Sequence, residues 1–318
     1  METQHVCMRA WRIHEFGRLG VMKLEKLPRP APGSGEVLVK VEAAGVGPWD
    51  AWIRSGNSAL PQPLPLTLGS DLSGEIVAVG QGVSDLRVGD QVYGVTNSRF
   101  VGAYAEFAVA SAAMIAMKPR SLSFIQAASA PVIAVTAWQA LFDHARLEAG
   151  QTVVVHGAAG SVGAFAVQLA HRAGIRVIAT ATANDVAFLR DLGASTVIDF
   201  QTQRFEEHVR EADAVIDLVG GDTQARSFQV LRRGGKLISA VSPPDQAIAQ
   251  SYGVEATFFL VKVTSYQLTQ MTELFDRGEL RTHIGAVLPF AEAIEAHLML
   301  EHLRLKPKGK IVLALGAT

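Results

Sequence analysis

The first third of the chain alternates in hydrophobicity as half-buried strands do. Between Glu36 and Ala43, valines occupy every second position and alternate with leucine, lysine and glutamate. This period of two predicts a strand with one buried face. Similar short segments cover Leu72–Val79, Asp90–Val95 and Ala103–Ala110, with glycines between them. Several short strands separated by glycine turns indicate a small barrel-like β domain.

From Ser123 onward the pattern changes to helices that alternate with apolar strands. Ser123–His144 is rich in alanine and helical in pattern, with a break at Pro131. The six strands predicted after it are Thr152–His156, Arg176–Ala181, Thr196–Phe200, Ala214–Val219, Lys236–Val241 and Glu255–Val261. Segments that are apolar on both faces are typical of a parallel sheet covered by helices. Six of them with crossovers predict an α/β fold of the doubly wound, Rossmann type.

The end of the chain returns to the first kind of structure. A helical stripe of apolar residues stops at Gly278, and Lys310–Leu315 is a predicted last strand. We therefore predict two domains. Residues 1–124 with 282–318 form the β domain, and residues 125–281 form the doubly wound domain.

Composition excludes several classes of function. The formal net charge is -1, so no overall field attracts nucleic acid or an anionic membrane. No apolar stretch approaches the about 18 residues that a membrane span needs. Cys7 is the only cysteine, which excludes a cysteine-rich zinc site and an internal disulfide and predicts a cytoplasmic protein.

A glycine loop follows the first strand of the doubly wound domain. Gly157, Gly160 and Gly163 stand at its first, fourth and seventh positions, immediately before a helix. In a dinucleotide-binding loop the first glycine allows the tight turn, the second allows close approach of phosphate, and the third allows the helix to pack on the strand. The amides of Ser161 and Val162 would then point at a pyrophosphate from the helix N-terminus.

The end of the second strand bears on the choice of cofactor. An NAD site places an acidic residue there, about 20 positions beyond the glycines. This chain instead has Thr180, Thr182 and Asn184 separated by alanines. The nearest acid, Asp185, fits a capping box that begins at Thr182. The stretch leaves room for a 2′-phosphate but supplies no cation, so we predict NADP with these three polar residues as candidate contacts.

Seven segments match the motifs of one enzyme family. They are Gly45–Asp50, Ile53–Gly56, Leu68–Glu75, Thr136–Leu141, His156–Gly163, Asp217–Gly221 and Gly309–Leu313. Over nearly its whole length the chain resembles the zinc-independent quinone oxidoreductases, the zeta-crystallin-like branch of the medium-chain dehydrogenase/reductase superfamily.

The resemblance implies a GroES-like β-barrel catalytic domain beside the Rossmann domain. It implies NADPH-dependent hydride transfer to a quinone or an α,β-unsaturated carbonyl. It also implies a homodimer joined through the edge strand Glu255–Val261, since an exposed apolar edge favours pairing. The cofactor contacts implied by position are Thr136, Val219, Ser239, Val241, Phe259 and Leu260.

The chain departs from the family at several active-site positions. Gly47 stands where the family usually has asparagine, and Trp52 stands where it usually has tyrosine. Zinc-dependent relatives have a cysteine near Gly47 and a His-Glu pair where this chain has Ser70 and Asp71. These departures predict that no zinc is bound and that no side-chain acid is essential for hydride transfer.

The candidate catalytic residues are Asp50, Trp52 and Asp71, and each has a structural alternative. Asp50 either lines the active site or forms a salt bridge with Arg54. Asp71 either approaches the substrate or caps a turn. Trp49 and Trp52 either form the floor of an aromatic pocket or pack the loop.

The histidines are not expected to be catalytic or metal-binding. His156 is interpreted as a core or turn residue, and the spacing of His297 and His302 does not fit a pair of metal ligands on one helix face.

Two alternative functions remain beside the quinone or enone reductase. They are a non-catalytic NADPH-binding protein and a zinc-type alcohol dehydrogenase.

Overall fold

The computed structural model describes residues 7–316. The chain divides into two compact units, and the first comprises residues 7–132 together with 263–316. This unit is built mainly of antiparallel strands. Its strands are β1 (Cys7–Ile13), β2 (Lys23–Pro28), β3 (Glu36–Val46), β4 (Leu66–Thr67), β5 (Asp71–Val79), β6 (Gln91–Val95), β7 (Phe107–Ser111), β8 (Ile115–Met117), β15 (Ile284–Pro289) and β16 (Lys310–Ala314). Its helices are α1 (Pro48–Ser55), α2 (Phe124–Ala128), α9 (Ser265–Asp276) and α10 (Ala293–Leu300).

A seven-stranded sheet forms the centre of this unit. It runs in the order β15-β16-β3-β5-β6-β8, with β7 paired to β3, and a second sheet runs β2-β1-β4. The alternating valines Val37, Val39 and Val41 of β3 lie in the hydrophobic core, while Lys40 between them is exposed. The three valines are thus buried as the period of two predicts, but Leu38 on the opposite face is also buried, so the strand is not exposed along the whole of that face.

The second unit, 133–262, is the doubly wound domain. Its strands are β9 (Thr152–Val155), β10 (Arg176–Ala181), β11 (Thr196–Asp199), β12 (Ala212–Asp217), β13 (Leu231–Ser239) and β14 (Glu255–Phe258). Its helices are α3 (Pro131–Trp138), which the chain enters from the first unit, α4 (Ser161–Arg172), α5 (Val186–Asp191), α6 (Phe205–His208), α7 (Gly221–Ser227) and α8 (Gln246–Tyr252).

The six strands of the second unit form one parallel sheet in the order β11-β10-β9-β12-β13-β14. The order reverses between β9 and β12. In open α/β sheets, ligands bind outside the carboxyl ends of the strands at such a reversal. The fold class and the six strands are as predicted.

Several element bounds differ from the prediction. Ala103–Ala110 is a strand only from Phe107 onward, and Ala105 makes a single bridge to Ala10. The predicted strand Glu255–Val261 ends at Phe258, which pairs with Ser239, the last residue of β13. The units also divide the chain at different places than predicted, because α2 and α9 pack on strands of the first unit.

No helix within residues 7–316 has both the length and the apolar character that crossing a membrane requires.

Candidate cofactor site and active site

The glycine loop joins β9 to α4 at the carboxyl edge of the parallel sheet. Gly157 has a φ of 67°, a left-handed conformation that glycine adopts without strain. A Cβ at Gly163 would lie 2.6 Å from the Cα of Ala158, so only glycine lets the helix pack this closely on the loop. Gly160 is exposed and caps α4. The first amides of α4, at Ser161 and Val162, have no intrahelical acceptor and are available to phosphate oxygens.

Three exposed apolar side chains follow three neighbouring strands at the same edge. Val219 after β12, Val241 after β13 and Leu260 after β14 are 55%, 41% and 50% exposed. Val219 lies beside the glycine loop, since a Cβ at Gly157 would be 3.2 Å from its Cγ2 atom. Apolar residues in this position offer flat surfaces on which the rings of a dinucleotide can pack.

Thr180 and Ser239, both candidate contacts, have buried side chains. The hydroxyl of Thr180 is 2.9 Å from Nδ1 of His156, whose Nε2 is 3.0 Å from the hydroxyl of Ser227. Burial lowers the pKa of His156 to about 4, so its ring is neutral. This agrees with the interpretation of His156 as a core residue. The side chain of Thr180 thus contacts the residue that precedes the glycine loop, and its contact with a cofactor stays a prediction.

The polar residues after β10 bond mainly to their own loop. The hydroxyl of Thr182 donates to the carboxylate of Asp185 at 2.7 Å, and the Asp185 amide donates to the Thr182 carbonyl at 2.9 Å. Asn184 is exposed. Asp199, at the end of the neighbouring strand β11, accepts hydrogen bonds from the loop that follows it. Both nearby carboxylates, those of Asp185 and Asp199, therefore accept hydrogen bonds from their own loops.

The remaining candidate contacts lie on α3 and after β14. Thr136 of α3 is 7% exposed. The ring of Phe259 packs 4.4 Å from the ring of His144, and its amide donates to the Ser239 carbonyl at 3.1 Å. The Phe259 N–H is thus already used, which leaves its carbonyl and the Leu260 backbone for a cofactor.

In the first unit, Asp50 fixes the start of α1. Its carboxylate accepts from the Gly47 amide at 2.8 Å and from the Tyr104 hydroxyl at 3.1 Å. It is fully buried, and burial raises its pKa to about 7. Arg54, the suggested partner, pairs instead with Glu301. Asp50 is therefore a fully buried cap of α1, and its catalytic role stays a prediction.

Asp71 is also fully buried, and its partner comes from the last strand. Its Oδ2 lies 2.8 Å from Nζ of Lys310, and its Oδ1 accepts from the Val132 amide at 3.2 Å. Burial raises the pKa of Asp71, and the nearby ammonium group opposes that rise. The carboxylate thus joins the ends of three segments, and its approach to a substrate stays a prediction.

Trp49 fills the space between Gly47 and Ser70. Its Nε1 donates to the Ser70 hydroxyl at 2.9 Å, and Nζ of Lys310 lies 4.3 Å from the ring centroid, within cation–π range. A Cβ at Gly47 would lie 2.5 Å from Cζ3 of the indole and closer still to two other ring carbons. The absence of a side chain at residue 47 is thus explained by the tryptophan that covers it.

The two tryptophans of α1 differ in role. Trp49 packs against the protein as described, whereas Trp52 is 52% exposed. Trp52 is the one whose ring is available to a ligand. Among residues 7–316, no three histidine, cysteine, aspartate or glutamate side chains are grouped so that they could hold a metal ion.

The structure brings the candidate residues into two groups, one in each unit, and adds residues that the sequence did not single out. Lys310 and Tyr104 anchor the two buried carboxylates. Asp217 joins two loops at the edge of the parallel sheet. Only Asp217 had a local signal, as a carboxylate that ends a buried strand and precedes a glycine pair.

Comparison with known proteins gives full-length matches. A family model for the GroES-like domain of alcohol dehydrogenase matches residues 33–120, and a model described as zinc-binding dehydrogenase matches residues 192–313. A quinone oxidoreductase of Rattus norvegicus is 32% identical, covering 99% of this chain and 100% of the relative. A 2-methylene-furan-3-one reductase of Solanum lycopersicum is 32% identical, covering 96% and 79%. A mycobacterial protein solved in complex with NADPH aligns with a TM-score of 0.86 at 32% identity, covering 97% and 100%.

Proposed function

The chain belongs to the quinone oxidoreductases of the medium-chain dehydrogenase/reductase superfamily, and we propose that it reduces quinones or α,β-unsaturated carbonyls with NADPH. The observation that carries the proposal is the edge of the parallel sheet. There the helix-start amides at Ser161 and Val162 and the exposed apolar residues Val219, Val241 and Leu260 border one surface. That combination suits a pyrophosphate flanked by flat rings.

The preference for NADPH rests on the end of β10. This position lacks an acid, and the adjacent Asp185 and Asp199 bond to their own loops. The end of β10 therefore has no carboxylate to accept a hydrogen bond from a ribose 2′-hydroxyl, and none to repel a 2′-phosphate. A relative solved with NADPH supports the same choice.

In the reaction the cofactor supplies a hydride to an electron-poor carbon of the substrate. This chain's own residues bind and orient. Trp52 forms an aromatic wall for a planar substrate, and the buried carboxylates of Asp50 and Asp71 hold α1 and β16 in place. The full burial of both side chains supports a reaction in which protons reach the product from water and no side-chain acid is essential. Quinones suit such a site since their reduced oxygens accept protons from solvent.

The proposal includes metal independence. One matching family model is described as zinc-binding. At the positions where zinc-dependent relatives have two of their zinc ligands, this chain has Gly47 and Ser70, and the indole of Trp49 lies between these two residues. Elemental analysis is expected to find no stoichiometric zinc. One zinc per chain, removed by a chelator together with activity, would contradict it.

We also propose a cytoplasmic homodimer that pairs through β14. Among the described residues this strand pairs with β13 alone, so its other side is open to a second copy. A dimeric mass in light scattering at micromolar concentration is the expected result. A monomeric mass under those conditions would refute the dimer without affecting the proposed reaction.

The test of the proposed activity is oxidation of NADPH in the presence of a panel of quinones and enones. Turnover with at least one member is expected. Tight NADPH binding without turnover on any of them would favour the alternative of a non-catalytic NADPH-binding protein.

A further inference from the structure

The carboxylate of Asp217 lies at the carboxyl end of β12 and is fully buried. Its Oδ1 accepts from the amides of Val219 and Gly220 at 3.1 and 2.8 Å. Its Oδ2 accepts from Nε2 of Gln224 and from the hydroxyl of Ser239 at 2.8 and 2.9 Å. Both oxygens are thus engaged by neutral donors from two strand ends and one helix.

The hydroxyl of Ser239 extends this network into the next loop. While it donates to Asp217, its oxygen accepts from the amides of Val241 and Ser242, each at 3.2 Å. Nε2 of Gln224 also lies 3.1 Å from the Ser242 carbonyl. The loop after β12 and the loop after β13 are therefore held to each other through one buried carboxylate.

These two loops carry exposed apolar residues of the cofactor site. Val219 belongs to the first loop and Val241 to the second, and both side chains are exposed although their amides are fixed by the network. The loops also lie close together, since a Cβ added at Gly220 would be 3.3 Å from Cγ2 of Val241. Their separation sets the distance between the two apolar surfaces.

We propose that Asp217 is a positioning residue that joins the two loops of the cofactor site and preorganises them for NADPH. The inference rests on the proposed function and extends it to a residue that does not itself contact the cofactor. A carboxylate is required because it accepts four hydrogen bonds and donates none. An asparagine would turn an NH₂ group toward the donors Gln224 and Ser239, so one side of the network would be lost.

The same strand offers a matched control. Asp213, near the other end of β12, also accepts from neighbouring segments, at 2.7 Å from the Thr152 amide and 2.8 Å from Nε of Arg232. It lies at the amino edge of the sheet, opposite the cofactor site. Asp213→Asn therefore disturbs a comparable carboxylate network without touching the loops that bind NADPH.

The experiment compares three variants, Asp217→Asn, Ser239→Ala and Asp213→Asn, with the unsubstituted chain. For each protein, isothermal titration calorimetry gives the Kd for NADPH, and steady-state kinetics give kcat and KM. Hydrogen bonds to charged groups are worth enough to change an equilibrium by about 10-fold or more. We expect Asp217→Asn to raise the Kd and KM for NADPH at least about 10-fold and Ser239→Ala about 3-fold or more. The kcat at saturating NADPH and the KM for the quinone are expected to stay within about 3-fold, because binding restores the loop geometry. Asp213→Asn is expected to lower the melting temperature and leave NADPH affinity unchanged.

Two results would overturn the inference. One is unchanged NADPH affinity in both Asp217→Asn and Ser239→Ala, and the other is an equal loss of affinity in Asp213→Asn. If Asp217→Asn does not fold, Gln224→Met replaces it, because Nε2 of Gln224 donates to Asp217 and to the second loop and Gln224 is not a candidate cofactor contact; unchanged NADPH affinity in Gln224→Met and Ser239→Ala would then overturn the inference. Failure of the unsubstituted chain to bind NADPH would refute the proposed function instead, so the two failures are distinguishable.

Discussion

The packing of Trp49 over Gly47 gives a prediction whose size follows from the geometry. In Gly47→Ala the new Cβ would lie 2.5 Å from Cζ3 of the indole, whereas carbon atoms in contact are about 3.5–4.0 Å apart. The backbone of Gly47 is extended, with φ -131° and ψ 164°, and accommodates alanine without strain. The whole steric penalty therefore comes from the ring of Trp49, which must move by about 1 Å or more.

Two independent estimates of that penalty agree. Overpacking by one methyl group costs about 1–3 kcal/mol. Displacing the ring would weaken its hydrogen bond to Ser70, worth about 1 kcal/mol, and its contact with the Lys310 ammonium group, worth about 1 kcal/mol. We therefore expect Gly47→Ala to lower the free energy of unfolding by about 2 kcal/mol.

The assay is equilibrium urea unfolding by circular dichroism, with and without Trp49→Ala in the background. Once the indole is removed, Gly47→Ala is expected to cost only about 0.5 kcal/mol, the effect of a poorer helix cap. Gly20→Ala, where a Cβ meets nothing within 4 Å, is the control and is expected to be close to neutral. An equal loss for Gly47→Ala in both backgrounds would refute the packing argument.

Three further predictions concern pH, cofactor and substrate. Burial raises the pKa of Asp50 to about 7 from the ordinary 3.8, so between these pH values the native chain holds a proton that the unfolded chain has released. Asp50 therefore makes the protein less stable as pH rises. The Asp50→Asn variant is expected to lose less stability than the unsubstituted chain from about pH 4 to 7, and identical pH profiles in urea unfolding would disprove this. Thr182→Asp is expected to reduce the ratio of NADPH to NADH in kcat/KM by at least about 10-fold through charge repulsion, while uncharged Thr182→Val changes it little. Equal or better NADPH use by Thr182→Asp would mean that the 2′-phosphate lies elsewhere. Trp52→Phe is expected to change the KM and the range of substrates more than kcat, as a packing wall would, and a loss confined to kcat would argue for a chemical role.

Periodicity identified most of the fold because its signals are local. The valines of β3 and the six apolar strands of the second unit were visible in short windows of sequence. The start of β13 was missed because Arg232, Arg233, Gly234 and Gly235 interrupt its apolar pattern. The strand nevertheless begins at Leu231, which pairs with Ala212 across an irregularity in the register.

The parts of the site that sequence reasoning missed depend on contacts between distant residues. Asp71 and Lys310 are 239 positions apart, and no local pattern joins them. The exposed or buried state of a polar residue is equally non-local. Thr180 is predicted to contact the cofactor from its position at a strand end, and no local pattern showed that its buried hydroxyl lies 2.9 Å from Nδ1 of His156. The glycine loop was predictable because its whole geometry is contained in seven consecutive positions.

The central claim is direct hydride transfer from NADPH to the substrate without a metal ion or an essential side-chain acid. The most direct measurement uses NADPH that carries deuterium at both C4 positions, chelator-treated protein and an enone that the protein turns over. We expect one deuterium at the β-carbon of the product and a solvent proton at the α-carbon. We also expect kcat to fall less than about 10-fold in Asp50→Asn and Asp71→Asn, in contrast to the about 10²–10⁴-fold of a lost general acid. Absence of deuterium from the product, loss of turnover on chelation, or a fall in kcat beyond about 10³-fold in either variant with binding intact would contradict the account.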